Sequence, residues 1–535
     1  MRKLAIIGGG PAGLAAAKWA QWGLKGHQIT LFEKLPMPGG IWASENNYSH
    51  AWNNMSTNLS RYSCVFSDFP HEQNASLFPT KQEMHRYLSS YIRYFNLQQY
   101  IQYNTTVVHV NRIDEKWQIT FEKDKKSHSD SFDHIIVANG MFSIPNLPQF
   151  NESAKFRGKI IHSAQYKQNI DFSNKDVVIV GGGFSAVEIA SNISKTARSV
   201  FHVNRKSSWI IPKLISDKNG ILQPLDLLLY KREFVEEGVK PLSIKEKNRK
   251  TNRFLSKLTG QNDIPDLYID PNSEEEQNIV ISNDYLRLVK EKKIIHQQGE
   301  IAGFEENEII LQNNSRIKAQ IVICCTGYRP DLNFLAPSIL KILQHDPRDS
   351  LQPAMLYESV LHPQLPDLFF IGMGTFRGAY FPIMELQARL AVEIFSGRAP
   401  YPNEEEILTY FKKANEIRAN HQKPQFINSN YSMLTDFYAK WANLLPPGTD
   451  VNTWSKLNGA PVIPSDYLRY GSGANPFVAE RERSRVNDFM KKGNATTVDT
   501  IKNLSSHLFF PTNPSKVSEI IEKKPIEDEL PTLPL

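Results

Sequence analysis

Two apolar runs, LAII at residues 4–7 and VVIV at 177–180, each end in a run of three glycines and then pass into an alanine- and apolar-rich stretch. Short unbroken apolar runs bounded by glycine predict strands buried on both faces. The stretches that follow, LAAAKWAQWG and FSAVEIA, predict helices. Each helix is followed by a second strand, QITLFE and SVFHVNR. Further apolar runs, QIVICC near 320 and LFFIGMG near 370, predict more buried strands, and Pro382 opens a helix where its missing N–H costs nothing. The pattern of LQPLDLLLYKREFVEE at 222–237 is read as helical, within an insertion spanning about 213–285. EEEILTYFKKANEIRAN and SMLTDFYAKWANLL carry helical periodicity beyond residue 400, and the polar tail after them is expected to be extended or disordered.

Strand, glycine turn and helix coincide twice, and that coincidence gives GxGxxG its meaning. In the first copy Gly8 permits the tight turn, Gly10 lets backbone approach a pyrophosphate, and Gly13 lets helix and strand pack closely. Glu33 ends the next strand, 25 residues after Gly8, where a carboxylate accepts hydrogen bonds from ribose hydroxyls. In the second copy Gly181, Gly183 and Ala186 take the three places, and Arg205 follows Gly181 by 24 residues. The sign of the charge is reversed. A guanidinium there suits a 2′-phosphate, so the second turn is read as an NADPH cradle assisted by Lys206 and Ser207, and the first as a cradle for FAD. A flavin and a nicotinamide on one chain imply electron transfer from NADPH to FAD.

These readings give an α/β fold: two Rossmann-like dinucleotide-binding domains, the NADPH domain inserted into the FAD domain, with a mainly helical C-terminal extension. The expected boundaries are 1–150 and 321–400 for the FAD domain, 151–320 for the NADPH domain, and 401–535 for the extension. PNLPQF and KQNIDFSNK are read as connecting strands and loops, and TGY near 326 as closing a strand of the FAD domain.

The flavin's electrons need an acceptor. Of the three cysteines, Cys64 is isolated, while Cys324 and Cys325 are adjacent in an apolar strand and alternate to opposite faces. They are read as core residues, so a disulfide acceptor is excluded, as is a structural metal site. Dioxygen, an electron carrier and a quinone stay open on this evidence. The balance of 62 basic against 56 acidic residues leaves no nucleic-acid-binding block, the longest basic stretch, KEKNRKTNR, being read as a solvated loop or helix face. No apolar run reaches membrane-spanning length and residue 4 already begins a strand, so a cytoplasmic protein without leader or membrane span is expected.

Residues 156–167, FRGKIIHSAQYK, then narrow the choice. Phe156, Gly158, His162 and Tyr166 match FxGxxxHxxxY/F just ahead of the second glycine turn. Here the chain resembles the flavin-containing monooxygenases; related Baeyer–Villiger enzymes carry tryptophan where Tyr166 stands. GGIW at 39–42, TNLSR at 57–61, CTGYRPD at 325–331 and ELQAR at 385–389 resemble further family motifs in family order. The resemblance implies NADPH- and O2-dependent oxygenation of a soft nucleophile, an amine nitrogen or a sulfur of a small molecule, through a C4a-hydroperoxyflavin. Baeyer–Villiger oxidation of ketones and an NADPH-dependent flavin reductase serving an electron carrier are the alternatives, and a redox-sensing flavoprotein is a further one. It implies that Asn58 stands at the flavin and helps to hold the oxygenated intermediate. The cofactor-binding residues it implies are Gly8, Gly10, Pro11, Ala12, Gly13, Glu33, Lys34, Gly40, Ile41, Trp42, Thr326, Gly327 and Gln387, with Gly181, Gly183, Phe184, Ser185, Ala186 and Arg205 in the second turn. Phe184 departs from the asparagine, tyrosine or histidine of relatives. His162 is read as a structural hinge at the domain junction, and a homodimer is the candidate assembly.

Overall fold

The computed structural model describes residues 1–44, 49–167, 170–217, 220–232, 242–420, 425–426, 431–445 and 460–492. The chain divides into two compact units, Met1–Ile144 with Tyr230–Phe234 and Tyr328–Asn487, and Pro145–Leu229 with Val235–Gly327 and Asp488–Leu535.

The first unit is built on a five-stranded sheet in the order Leu368–Phe370, His134–Val137, Lys3–Ile7, Gln28–Phe32, Ile101–Gln102. All its pairings are parallel. The LAII run is apolar throughout because both faces are covered. Ala5 and Ile7 point into a core with Trp117, Ile119 and Phe132 of a three-stranded antiparallel sheet, while the helix Pro11–Gly23 packs on the strands and on the buried helix Tyr380–Phe395. Pro382 is the third residue of that second helix, within the turn whose N–H groups have no partner in any case.

The second unit repeats the plan: Ile295–Gln298, Ser199–Asn204, Asp176–Val180, Ile321–Cys324, Lys159–His162, again all parallel. One sequence reading is corrected here. Ile321–Cys324, expected in the first domain, pairs with Val177–Val180 in the second sheet. Its four residues are fully buried between strands on either side, so an apolar run alone could not tell which sheet would take it. The chain passes to the first unit only at Tyr328.

The stretch 222–237 of the insertion is less helical than its pattern suggests. Leu222–Pro224 pairs as a strand with Leu214–Ser216, and only Leu225–Leu229 is helical; residues 233–237 of the expected helix lie outside the described residues. The basic KEKNRKTNR lies on the helix Ile244–Thr259, capped by Ser243 and ended by Gly260 at φ 59°, with Lys245 and Arg249 paired to Glu274. Beyond residue 400 the helices Glu404–Ala419 and Tyr431–Trp441 form as the periodicity predicts, whereas Pro476–Lys492, in the stretch expected to be extended or disordered, is a helix that buries Ala479, Val486 and Phe489; the tail after 492 lies outside the described residues.

Candidate active site

Each glycine turn sits at the carboxyl end of the central strand of its sheet, the position where open parallel sheets bind ligands. Gly8 has φ 110°, and a Cβ there would stand 2.6 Å from the Ala138 carbonyl oxygen. Gly181 has φ 127° and would strike the Cys325 carbonyl oxygen. The chain itself therefore demands glycine at both positions. Gly10 and Gly183 differ. Their backbones are extended, with φ −75° and −96°, a conformation open to any residue. A Cβ on Gly10 would meet nothing closer than Gly40 Cα at 3.7 Å, and one on Gly183 would meet no atom within 4 Å. Space is kept clear above both helix N-termini although nothing in the protein fills it, which fits a diphosphate lying against the backbone.

The two turns are braced differently. In the first, Glu33 is 5% exposed; its Oε2 accepts the Gly9 N–H at 2.6 Å and its Oε1 the Leu35 N–H at 2.8 Å. Burial raises its pKa, and the donors from Leu35 and Gly9 oppose the rise. GGIW closes on the same turn: Gly39 donates its N–H to the Gly9 carbonyl at 2.9 Å, and Gly40 to Trp42 form a short helix with Trp42 buried and Ile41 half-buried. Pro11 and Ala12 open the long helix, and Lys34 is exposed beside Glu33.

In the second turn the brace is a residue the sequence reading missed. His202 lies on the neighbouring strand with its Nε2 2.6 Å from the Gly181 carbonyl oxygen and its Nδ1 against the Tyr285 hydroxyl. Burial, then the neighbouring His296, lowers its pKa to about 4, so the ring is neutral, Nε2 donating to Gly181 and Nδ1 accepting from Tyr285. Ser208 Oγ donates to the Gly182 carbonyl at 3.2 Å. Phe184 and Ser185 are half-buried at the start of the helix and Ala186 is buried. Arg205 is exposed at the strand end, its guanidinium in no ion pair or hydrogen bond among the described residues.

The FxGxxxHxxxY and TGY motifs meet in this unit. His162 is 2% exposed; its Nδ1 accepts the Ala164 N–H at 3.1 Å and its Nε2 donates to the Gly327 carbonyl at 3.0 Å. Both nitrogens are thus engaged in holding backbone. Thr326 Oγ1 donates to the Asn146 carbonyl at 2.6 Å. Cys324 and Cys325 are buried, and burial pushes the Cys324 thiol up to about 12 and Cys325 higher still. Both are inert core thiols, as the alternation suggests.

In the first unit the TNLSR loop is pinned on both flanks of Asn58. Thr57 donates to Pro79 and Leu59 carbonyls at 2.9 and 2.7 Å, and the Arg61 N–H donates to Leu77 at 2.8 Å. Asn58 is half-buried, and its amide makes no hydrogen bond among the described residues. Gln387 is fully buried: its Oε1 accepts the Gly372 N–H at 2.8 Å and its Nε2 donates to the Tyr438 hydroxyl at 3.0 Å. Its amide ties the chain just after the strand Leu368–Phe370 to the helix Tyr431–Trp441. Two residues before Gln387, Glu385 accepts from Ser67 and from Trp19 Nε1 in a buried network with Lys18, Asp68 and Arg389.

The profile of the Flavin-binding monooxygenase-like family matches residues 1–446. The chain belongs to this family. It is a flavin-dependent NADPH monooxygenase whose cofactors are FAD and NADPH, and the open cradles above Gly10 and Gly183 fit those two dinucleotides. The dimethylaniline monooxygenase [N-oxide-forming] 2 of Cavia porcellus is 28% identical over 455 residues, 80% of each chain. Among solved structures, S-allyl-L-cysteine S-oxygenase from Allium sativum superposes with a TM-score of 0.60 at 21% identity, covering 91% of this chain and 99% of that one. Cyclohexanone monooxygenase from Rhodococcus sp. Phi1, bound to NADP+, gives 0.61 at 14% identity over 82% and 96%. At such identities these two likenesses speak for the fold alone. No helix among the described residues is long and apolar enough to cross a membrane.

Proposed function

We propose that this monooxygenase oxygenates a soft nucleophile, an amine nitrogen or a sulfur of a small molecule. The observation that carries the reading is the pair of cradles with opposite charge: Glu33 buried against the first turn, and Arg205 free at the end of the second. The N-oxide-forming relative supports nitrogen as a target. In this reading one atom of dioxygen enters the substrate and the other leaves as water, its two hydrogens coming from the hydride of NADPH and one proton from solvent. FAD, when bound, takes hydride from NADPH and passes the electrons to dioxygen.

The chain's own residues bind, orient and shield. Gly8, Gly10, Pro11, Ala12 and Gly13 present helix N–H groups to the FAD diphosphate. Glu33 and Lys34 meet the adenosine ribose, and Gly40, Ile41 and Trp42 pack beside the dinucleotide. Gly181, Gly183, Ser185 and Ala186 repeat the cradle for NADPH, Phe184 supplies a ring that stacks without hydrogen bonding, and Arg205 binds the 2′-phosphate with two parallel hydrogen bonds. Asn58 donates from its free amide near the reacting centre without offering an acid or a base. Thr326, Gly327 and Gln387 set backbone in place around these groups. The domain assignment follows: the unit holding Gly8 binds FAD, and the unit holding Gly181 binds NADPH.

The test offers dimethylaniline, thioanisole and cyclohexanone in parallel under isotopically labelled dioxygen, following NADPH consumption and product. Labelled N-oxide or sulfoxide in step with NADPH oxidation is expected. Labelled lactone as the main product replaces the reading with ketone oxidation, and turnover that requires an added electron carrier replaces it with a reductase.

A further inference from the structure

A cavity of about 740 Å³ opens at the edge of the first sheet opposite its glycine turn. Arg2 precedes the strand Lys3–Ile7, His27 precedes Gln28–Phe32, and His134 begins His134–Val137, and all three line it. A five-residue parallel strand advances roughly 3.3 Å per residue, which sets this edge about 17 Å from the turn at Gly8. The cavity is therefore separate from the dinucleotide cradle, and its volume is that of a small-molecule site.

Its wall carries groups the protein leaves unmet. His134 is 5% exposed; its Nδ1 lies 3.0 Å from Asp367 Oδ1, and its ring stacks on Phe395 at 4.4 Å. The Asp367 carboxylate fixes the proton on Nδ1, so Nε2 is an acceptor. That nitrogen is buried without a hydrogen-bond partner among the described residues, and the His27 ring, bonded to the Leu24 backbone, lies beside it with ring centroids 5.8 Å apart. Unmet buried polar groups are rare and call for an unseen partner. Arg2 and Lys25 are exposed at the wall and engage in no ion pair among the described residues. Arg398, by contrast, is occupied by Glu393 and covers the Gly23 carbonyl at the helix end. Arg2 and Lys25 outnumber the one carboxylate of the lining, Asp367, so the net charge of the cavity is positive. Trp22, 48% exposed, and Leu24 supply an apolar floor.

We propose that this cavity binds a small organic anion: a carboxylate on a flat apolar body that also carries a hydroxyl. Arg2 and Lys25 meet the charge, the body lies on Trp22, and the hydroxyl donates to His134 Nε2.

The test titrates flavin-loaded protein with a fluorescent hydroxynaphthoate and reads anisotropy, independent of turnover, so that failure of the oxygenation assay leaves this measurement intact. Saturable binding is expected, weakened at least tenfold for the uncharged amide and in an Arg2→Gln, Lys25→Gln double variant. The naphthoate lacking the hydroxyl, and His134→Phe, are expected to lose several-fold, with NADPH-driven flavin reduction unchanged in the double variant. Because Arg2 and Lys25 are exposed, the double variant folds and keeps the test decisive. Absent saturation, equal binding of acid and amide, wild-type affinity in the double variant, or displacement of the probe by NADPH each overturns the proposal.

Discussion

The Glu33 carboxylate accepts the Gly9 N–H at 2.6 Å, so the acid at the end of the second strand is part of the first glycine turn itself. Replacing Glu33 by alanine removes the acceptor for both Gly9 and Leu35, leaving two buried donors unmet at roughly 1–3 kcal/mol each. Glu33→Ala is expected to lower thermal stability and to purify with substoichiometric flavin, read from the visible-to-ultraviolet absorbance ratio. Full flavin content at wild-type melting temperature would remove Glu33 from the cradle.

The Arg205 guanidinium makes no ion pair or hydrogen bond among the described residues, and the one bond the residue does make, from Gln298 Nε2 to its carbonyl at 3.0 Å, survives a change of side chain. Its removal therefore isolates a ligand effect. Arg205→Gln is expected to weaken NADPH by about 1.5–3 kcal/mol, on the order of 10- to 150-fold, with melting temperature and NADH affinity unchanged. Parallel loss of NADH and NADPH would show that the residue does not read the 2′-phosphate.

Asn58 combines a pinned backbone with an unengaged amide. Asn58→Leu keeps the size and removes the donor, so the flavin should still be reduced by NADPH at the wild-type rate. The loss appears downstream, as hydrogen peroxide released in place of oxygenated product. Peroxide yield per NADPH, measured with a saturating amine, is expected to rise several-fold, and an unchanged ratio dismisses the role.

Much of this architecture was legible because strand, glycine turn and helix are local. LAII and VVIV needed no partner to be read, and the charge reversal between Glu33 and Arg205 survives as a contrast in the folded chain. What sequence missed is non-local. Ile321–Cys324 is equally apolar whichever sheet receives it, and only its pairing with Val177–Val180 decides. His202 brackets Gly181 from across a strand boundary, 21 residues on, with no motif to mark it. A faint signal existed: histidine in an otherwise apolar strand needs a buried partner. Gln387 was read through its motif as a cofactor contact, and its bonds to Gly372 and Tyr438 are contacts that no spacing announces.

His202 also predicts an acid sensitivity. Its folded pKa of about 4 lies below the ordinary 6.5 of histidine. Between these values the unfolded chain binds a proton that the folded chain does not, so stability is full above about pH 6.5 and falls as pH drops toward 4. The loss is on the order of 3 kcal/mol, from 1.36 kcal/mol per pKa unit. Melting curves across this window should fall less steeply for His202→Gln, which can still donate to the Gly181 carbonyl but does not titrate. An identical slope in both proteins would assign the sensitivity elsewhere.

Gly181 and Gly183 separate what the fold demands from what the ligand demands. At Gly181 a methyl group faces both positive φ and the Cys325 carbonyl oxygen, so Gly181→Ala must deform the turn and should cost several kcal/mol of stability. At Gly183 the backbone is extended and no atom stands within 4 Å of an added Cβ. By protein geometry alone Gly183→Ala is harmless, and reduced chain entropy in the unfolded state makes it stabilising by about 0.4–1 kcal/mol. The methyl group instead occupies the space kept clear above the helix. Gly183→Ala should therefore melt at or above the wild-type temperature and keep its flavin, while NADPH binding by stopped-flow reduction falls tenfold or more. A Gly183→Ala protein that binds NADPH normally would mean that the pyrophosphate does not lie against this backbone, and the assignment of the second cradle would fall with it.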